Sequence, residues 1–278
     1  MAHALSVVIP AHDEERVLPQ LLAALDDDAI DVVVVPNGCT DGTAQAARDA
    51  LPGAVVVEVY ERSKTAALRA GDAVARHFPR FYLDADIGID AAGLHRLAEV
   101  MRETGVLAVA PSVAFDVSAS SWAVRAFYRA LPLLASVSGS IAGTGCMGVS
   151  REGRTRFDEW PPVLADDHFL DGLFTAGEKL RAADVTSRVR TPRGLGDLVR
   201  RRERVIWGNR QVARLGVGPT ATGGGVAGVL AAARRHPART LDLAVFAAVG
   251  LVVRARVLAR ARRGQEVGWN RDESRAPA

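Results

Sequence analysis

Five short apolar runs dominate the first 113 residues: "LSVVIP" (5–10), "DVVVVP" (31–36), "AVVVEVY" (54–60), "FYLDAD" (81–86) and "VLAVAPSV" (106–113). Mainly apolar runs of this length suit strands covered on both faces, and the stretches between them are long enough for crossover helices. The pattern predicts an α/β fold: a Rossmann-like, mainly parallel sheet flanked by helices. In such a sheet, ligands bind outside the carboxyl ends of the strands. Three loops are therefore expected to converge there: after Pro10, after Pro36 and around Asp84–Asp86.

The intervening helices are "DEERVLPQLLAAL", with acids in its first turn, "AQAARDAL", capped by Thr40 or Asp41, "KTAALRAGDAVARHF" and "DAAGLHRLAEVMRE". Beyond them, "SSWAVRAFYRALPLLASV" reads as a helix broken near Pro132, and "GTGCMGVSREG" as a glycine-flanked strand or tight hairpin. "ADDHFLDGLF" places Asp166 and Asp167 at the start of a short helix, and "TPRGLG" signals a mobile loop. The chain divides into a unit over 1–210 and a helical, arginine-rich appendage over 211–278 with a flexible end.

Of the 278 residues, 49% are apolar and 24% charged, which excludes a disordered chain. Lysine occurs only at positions 64 and 179; the other cations are arginines, eight of them between Arg188 and Arg210 and ten beyond residue 226. This asymmetry points to an anionic ligand or membrane surface, and no zinc finger or basic-aromatic repeat supports nucleic acid. Cys39 and Cys146 cannot build a disulfide framework and suit a cytoplasmic location. The apolar run 243–253 is eleven residues long, short of the roughly 20 that cross a bilayer. The segment 227–263 therefore reads either as a helical pair lying on the inner face of a membrane, or as an appendage packed on the domain or on a second subunit as a homodimer.

Strands seldom end in two carboxylates two positions apart, because alternate residues share a face and repel. Asp84 and Asp86 offer hard oxygens that suit Mg2+ or Mn2+ on a diphosphate, or simply form an acidic loop before the next helix. Asp166 and Asp167 are either site residues or charges that favour a helix N-terminus. Lys64 stands at a helix start, and His12 and His168 are open to ligand or structural roles. Cys39 reads as a small turn residue. A glycine-rich phosphate loop is absent.

In order and spacing, "SVVIPAHDEE", "VVVVPNGCTDGT", "SKTAAL", "YLDADIGID", "GTG" and "ADDHFLDGLF" resemble the family 2 glycosyltransferases over about 5–174, more loosely to 209. The resemblance implies a GT-A fold in which 1–210 binds a nucleotide-sugar donor, and metal-dependent, inverting transfer of one sugar to an acceptor hydroxyl on a small or lipid-linked molecule. It implies that Pro10, Ala11, Glu14 and Asn37 hold the nucleoside, Lys64 lies near the nucleotide and Asp84 meets the ribose or sugar. Asp86 would bind Mn2+ or Mg2+, and Asp167, or in reserve Asp166, would be the catalytic base, its pKa raised by burial and its neighbour. Pro36 stands where many relatives carry an aspartate, leaving the donor base open, and the Q-x-x-R-W motif of processive synthases is missing. A sugar nucleotidyltransferase and a non-catalytic nucleotide-binding relative are the alternatives.

Overall fold

The computed structural model describes residues 5–134, 139–217 and 225–263. Its centre is β1 (Leu5–Ala11), buried along all seven residues. β1 pairs in parallel with β2 (Ile30–Pro36) on one side and with β4 (Arg80–Leu83) on the other. β2 carries β3 (Val55–Val56) at the edge. Past β4, β7 (Cys146–Val149) runs antiparallel to both β4 and β6 (Ala108–Asp116); β6 then pairs in parallel with β8 (Lys179–Arg190), and β8 antiparallel with β5 (Ile87–Gly88). The sheet has eight strands in the order β3-β2-β1-β4-β7-β6-β8-β5.

Side chains alternate across the sheet with period two. Val7, Ile9, Phe81 and Leu83 face α1 (Leu18–Ala24), α2 (Thr43–Ala50) and α4 (Ala91–Thr104). Val8, Val33 and Tyr82 face the opposite way, into a core with Leu68 of α3 (Lys64–Val74), Trp160, and Phe169 of α7 (Asp166–Gly172). Asp72 anchors α3 over the sheet, accepting from Arg80 (2.7 Å), Tyr82 (2.8 Å), Trp160 (2.8 Å) and Arg154 (3.1 Å) of the short α6 (Arg151–Arg154).

The expected α/β architecture is present, with local departures. α1 begins at Leu18 and not among the acids, because Pro19 fits only the first turn of a helix. Glu14 and Glu15 instead bond the neighbouring loop: the Glu14 N–H donates to Thr43 Oγ1 at 2.7 Å, and a Glu15 carboxylate oxygen accepts from the Gly42 N–H at 2.9 Å. β3 is only two residues long. "TPRGLG" is pinned: Ser120 meets Thr191 Oγ1 at 2.8 Å and the Pro192 carbonyl at 2.7 Å. α8 (Leu195–Arg214) runs through position 210.

α5 (Trp122–Ala130), followed by a 3-10 turn at Pro132, forms with α8 a platform for α10 (Thr240–Arg262), which α9 (Gly225–Arg235) precedes. Val249, Val253 and Val257 of α10 pack on Val124, Phe127 and Leu198, and Phe246 stacks on Phe127 at 4.8 Å. Arg256 pairs with the buried Glu203, and Arg129 with Asp242 at 2.7 Å. Among the described residues, no helix is long and apolar enough to cross a membrane.

Candidate active site

The carboxyl ends of β1 and β4, the N-termini of α3 and α7, and one face of α8 enclose a cleft. Pro10, Glu14, Lys64, Asp84, Asp86, Asp166 and Asp167 line it, together with His12, His168, Arg201 and Arg204. Three sequence segments far apart thus deliver their acids to one place. Ala11 and Asn37 lie beside the cleft, not on its wall: both are buried. The Asn37 amide donates to the Ala11 carbonyl (2.9 Å) and the Val35 carbonyl (3.3 Å), so it latches β1 to β2. Of the arginines between Arg188 and Arg204, Arg201 and Arg204 reach the cleft, whereas Arg188 and Arg190 line an adjoining hollow that shares Asp86.

Lys64 is the hub. It follows Ser63, whose hydroxyl caps α3 by accepting from the Ala66 N–H at 3.2 Å. Its ammonium lies 2.7 Å from Asp84 Oδ1 and 2.9 Å from Asp166 Oδ2. Burial works against that charge, yet the Asp166 and Asp84 carboxylates hold Lys64 well above its ordinary value. Burial pushes Asp166 up to about 6; Lys64 opposes this, and Asp167 and Asp84 add to it. Asp167 goes the other way. Burial would raise it, but His168, Lys64 and the N–H groups of His168 (2.8 Å) and Gly143 (3.0 Å) hold it below the usual carboxylate range. The rise expected at Asp167 thus falls on its neighbour, because one N–H of the helix start and one of the Gly143 loop point at Asp167, while Asp166 is buried beside two other carboxylates.

The glycine pair of "GTG" shapes this floor. Gly143 supplies the donor to Asp167, and Gly145 has φ +71° and accepts the Asp84 N–H at 2.8 Å. A Cβ on Gly145 would come within 2.5 Å of Ile87 Cγ2. Gly208 lets α8 approach Ala165, directly before the acid pair: a Cβ there would meet the Ala165 Cβ at 2.7 Å. The G-x-G spacing was the available signal for the first contact; nothing in the sequence signals the second.

Hard oxygens from Asp84 and Asp86 on one wall fit a cation such as Mg2+ or Mn2+, which takes one or two carboxylates and leaves the rest of its shell to phosphate and water. An open α/β sheet with acids, one lysine and arginines at its carboxyl edge has the layout of the doubly wound class, in which ligands bind outside the carboxyl ends of the strands. The model of glycosyl transferase family 2 matches residues 6–152, just over half of the chain. The chain belongs to this family of sugar-transferring enzymes. No curated protein sequence matches it.

Among solved structures, the fold is similar to that of the mannosyltransferase PcManGT from Pyrobaculum calidifontis, in complex with GDP-Man and Mn2+ (TM-score 0.61, 22% identity, covering 94% of this chain and 79% of that one). It is also similar to glucosyl-3-phosphoglycerate synthase from Mycobacterium tuberculosis, in complex with Mn2+, UDP-glucose and phosphoglyceric acid (TM-score 0.57, 20% identity, covering 77% and 80%). The sheet and its flanking helices therefore have the GT-A architecture.

Proposed function

We propose that the protein transfers one sugar, with inversion, from a nucleotide-diphospho-sugar to an acceptor hydroxyl, in a divalent-metal-dependent reaction. The observation that carries this is the meeting of Asp84, Asp86, Lys64 and the Asp166–Asp167 pair on one cleft. Asp86, with Asp84 beside it, would hold Mn2+ or Mg2+. When bound, that ion neutralises the charge growing on the leaving diphosphate, the task a general acid performs elsewhere.

The chain's own groups do the rest. Asp167 is ionised at neutral pH and faces the cleft, so it can take the proton of the acceptor hydroxyl. The hydroxyl oxygen forms its bond to the anomeric carbon as the bond to the diphosphate oxygen breaks, and the nucleoside diphosphate leaves with the electron pair. Lys64 holds Asp84 and Asp166 together and lies beside the phosphates. Arg201 and Arg204 add positive charge and help exclude water from the diphosphate. Pro10 and Glu14 border the nucleoside, with Ala11 and Asn37 fixing the strand ends beneath it.

Residues 1–210 would form the catalytic unit and 211–278 the appendage. α10 turns Leu241, Leu251, Val252 and Leu258 outward, with arginines at its last turns. This supports peripheral contact with an anionic membrane carrying a lipid-linked acceptor, with a homodimer through the same face as the rival. The unpaired Cys39 and Cys146 suit a cytoplasmic site. A panel of nucleotide-sugars screened by thermal shift with Mn2+ tests the donor: stabilisation by one of them is expected, and none by any would refute the reading.

A further inference from the structure

We propose that His12, Asp13 and Cys39 form a second metal site, one that takes a borderline-soft ion such as Zn2+ and is distinct in chemistry from the all-carboxylate site at Asp84 and Asp86. The three residues come from two loops, after β1 and after β2. One donor atom from each, an imidazole nitrogen, a carboxylate oxygen and the thiol sulfur, lies within 4.8 Å of the other two. Imidazole and thiolate select zinc-like ions over Mg2+ or Mn2+.

The hydrogen bonds orient the donors. His12 Nδ1 lies 2.7 Å from the Asn37 carbonyl oxygen. A carbonyl only accepts, so Nδ1 carries the proton, and in the neutral ring the Nε2 lone pair points to the opposite side. A backbone carbonyl on the far nitrogen is the usual support of a metal-bound histidine. Nε2 then faces Asp13 Oδ2 at 3.4 Å. This is longer than the roughly 2.7–2.9 Å of a charge-assisted hydrogen bond. It matches the roughly 3.3–3.6 Å that separates two ligand atoms on a tetrahedral zinc, given metal–ligand bonds of about 2.0–2.3 Å.

The other donors are held as well. Asp13 Oδ1 accepts the Thr40 N–H at 2.7 Å, leaving Oδ2 turned to the histidine. Cys39 Sγ is 3.4 Å from the Asp13 backbone nitrogen. Asp13 has φ +53°, the one non-glycine residue with positive φ among those described. Such strain persists where the surroundings over-determine a residue, and often marks a site. A bound ion would tie the loop after β1 to the loop after β2 on the wall of the cleft.

The test uses the full chain, stripped of metal and titrated with Co2+ alone as a spectroscopic stand-in for Zn2+. One equivalent should bind with a thiolate-to-cobalt charge-transfer band. The band should vanish in Cys39→Ser and in His12→Asn, whose amide still donates to the Asn37 carbonyl, and persist in Asp86→Ala. Zn2+ should also slow alkylation of Cys39 in the unaltered chain roughly tenfold or more, since the metal-bound thiolate is shielded; Cys146 is buried and silent. That labelling decides the matter even if the variants fail to fold. A wild-type cobalt spectrum lacking the band, a band surviving in both variants, or a labelling rate indifferent to Zn2+ would overturn the proposal and leave His12 and Asp13 as a metal-free contact between the two loops.

Discussion

Two adjacent aspartates at the start of α7 have opposite electrostatic fates, and their chemistry follows from that. Asp167 receives two backbone N–H donors and stays ionised; Asp166 is buried against Lys64 and titrates near 6. Asp167→Asn should therefore keep donor binding and lose transfer by about 10²–10⁴-fold, the usual worth of a positioned base, with Asp166→Asn losing less; single-turnover kinetics with saturating donor would show it, and the reverse ranking would move the base to Asp166. Stability should respond to pH in a defined direction. Because the folded-state pKa of Asp166 is raised, its contribution is fullest below the ordinary carboxylate value and is lost as pH rises through about 6. The Tm of Asp166→Asn relative to wild type should thus climb between about pH 4 and about pH 6 and level off above; a flat difference across that window would contradict the raised value. Gly145→Ala combines a positive φ with a 2.5 Å contact and should cost about 1–3 kcal/mol in denaturant unfolding. The acid pairs were legible as residue types in the sequence. Which member of the Asp166–Asp167 pair would be raised was not, because that depends on the glycine loop folding onto Asp167 from 24 positions earlier.

At the scale of elements, the site depends on keeping the strand ends in register. At the far end of the sheet, Asp31 of β2 accepts from Ser6 of β1 at 2.8 Å and from Arg76, beyond α3, at 2.5 Å. Burial would raise its pKa, but the Arg76 and Ser6 bonds hold it below the ordinary value. Its contribution to stability is accordingly present above that value, about 3.9, and lost as pH falls through the lower folded-state pKa. Asp31→Asn should lower the Tm by several degrees at pH 7, and the gap should close toward pH 3; a gap that widens in acid would contradict the assignment. The strands β1, β2, β4 and β6 were readable because each is an apolar run closed by proline, an acid or a polar segment. β8 escaped notice for a physical reason. Lying toward the sheet edge, it alternates buried and exposed residues, so its arginines and Thr186 dilute the apolar signal that marks the central strands. α1 starts five residues later than its acids suggest, because they serve the neighbouring loop instead of the helix dipole.

For the molecule as a whole, α10 is part of the packed structure. α10 shares a core with α5 and α8, and its Arg256 and Arg260 neutralise Glu203, buried in α8. Glu203→Gln should thus be tolerated better than Arg256→Ala, which strips a partner from a buried carboxylate. The apolar run in this segment serves two faces: the inward face of α10 answers to packing, and its outward leucines are what a vesicle-binding assay tests. In that assay Leu251→Glu should reduce sedimentation with anionic liposomes several-fold, and unchanged sedimentation would end the proposal. The central claim, that acids from three distant segments converge on one cation-bridged diphosphate, is tested most directly by calorimetric titration of the stabilising nucleotide-sugar with and without Mn2+, in wild type and Asp86→Ala. Binding that requires Mn2+ in the wild type and is lost in the variant is the expected result. Binding of equal strength in chelator, or in Asp86→Ala with Mn2+, would contradict it.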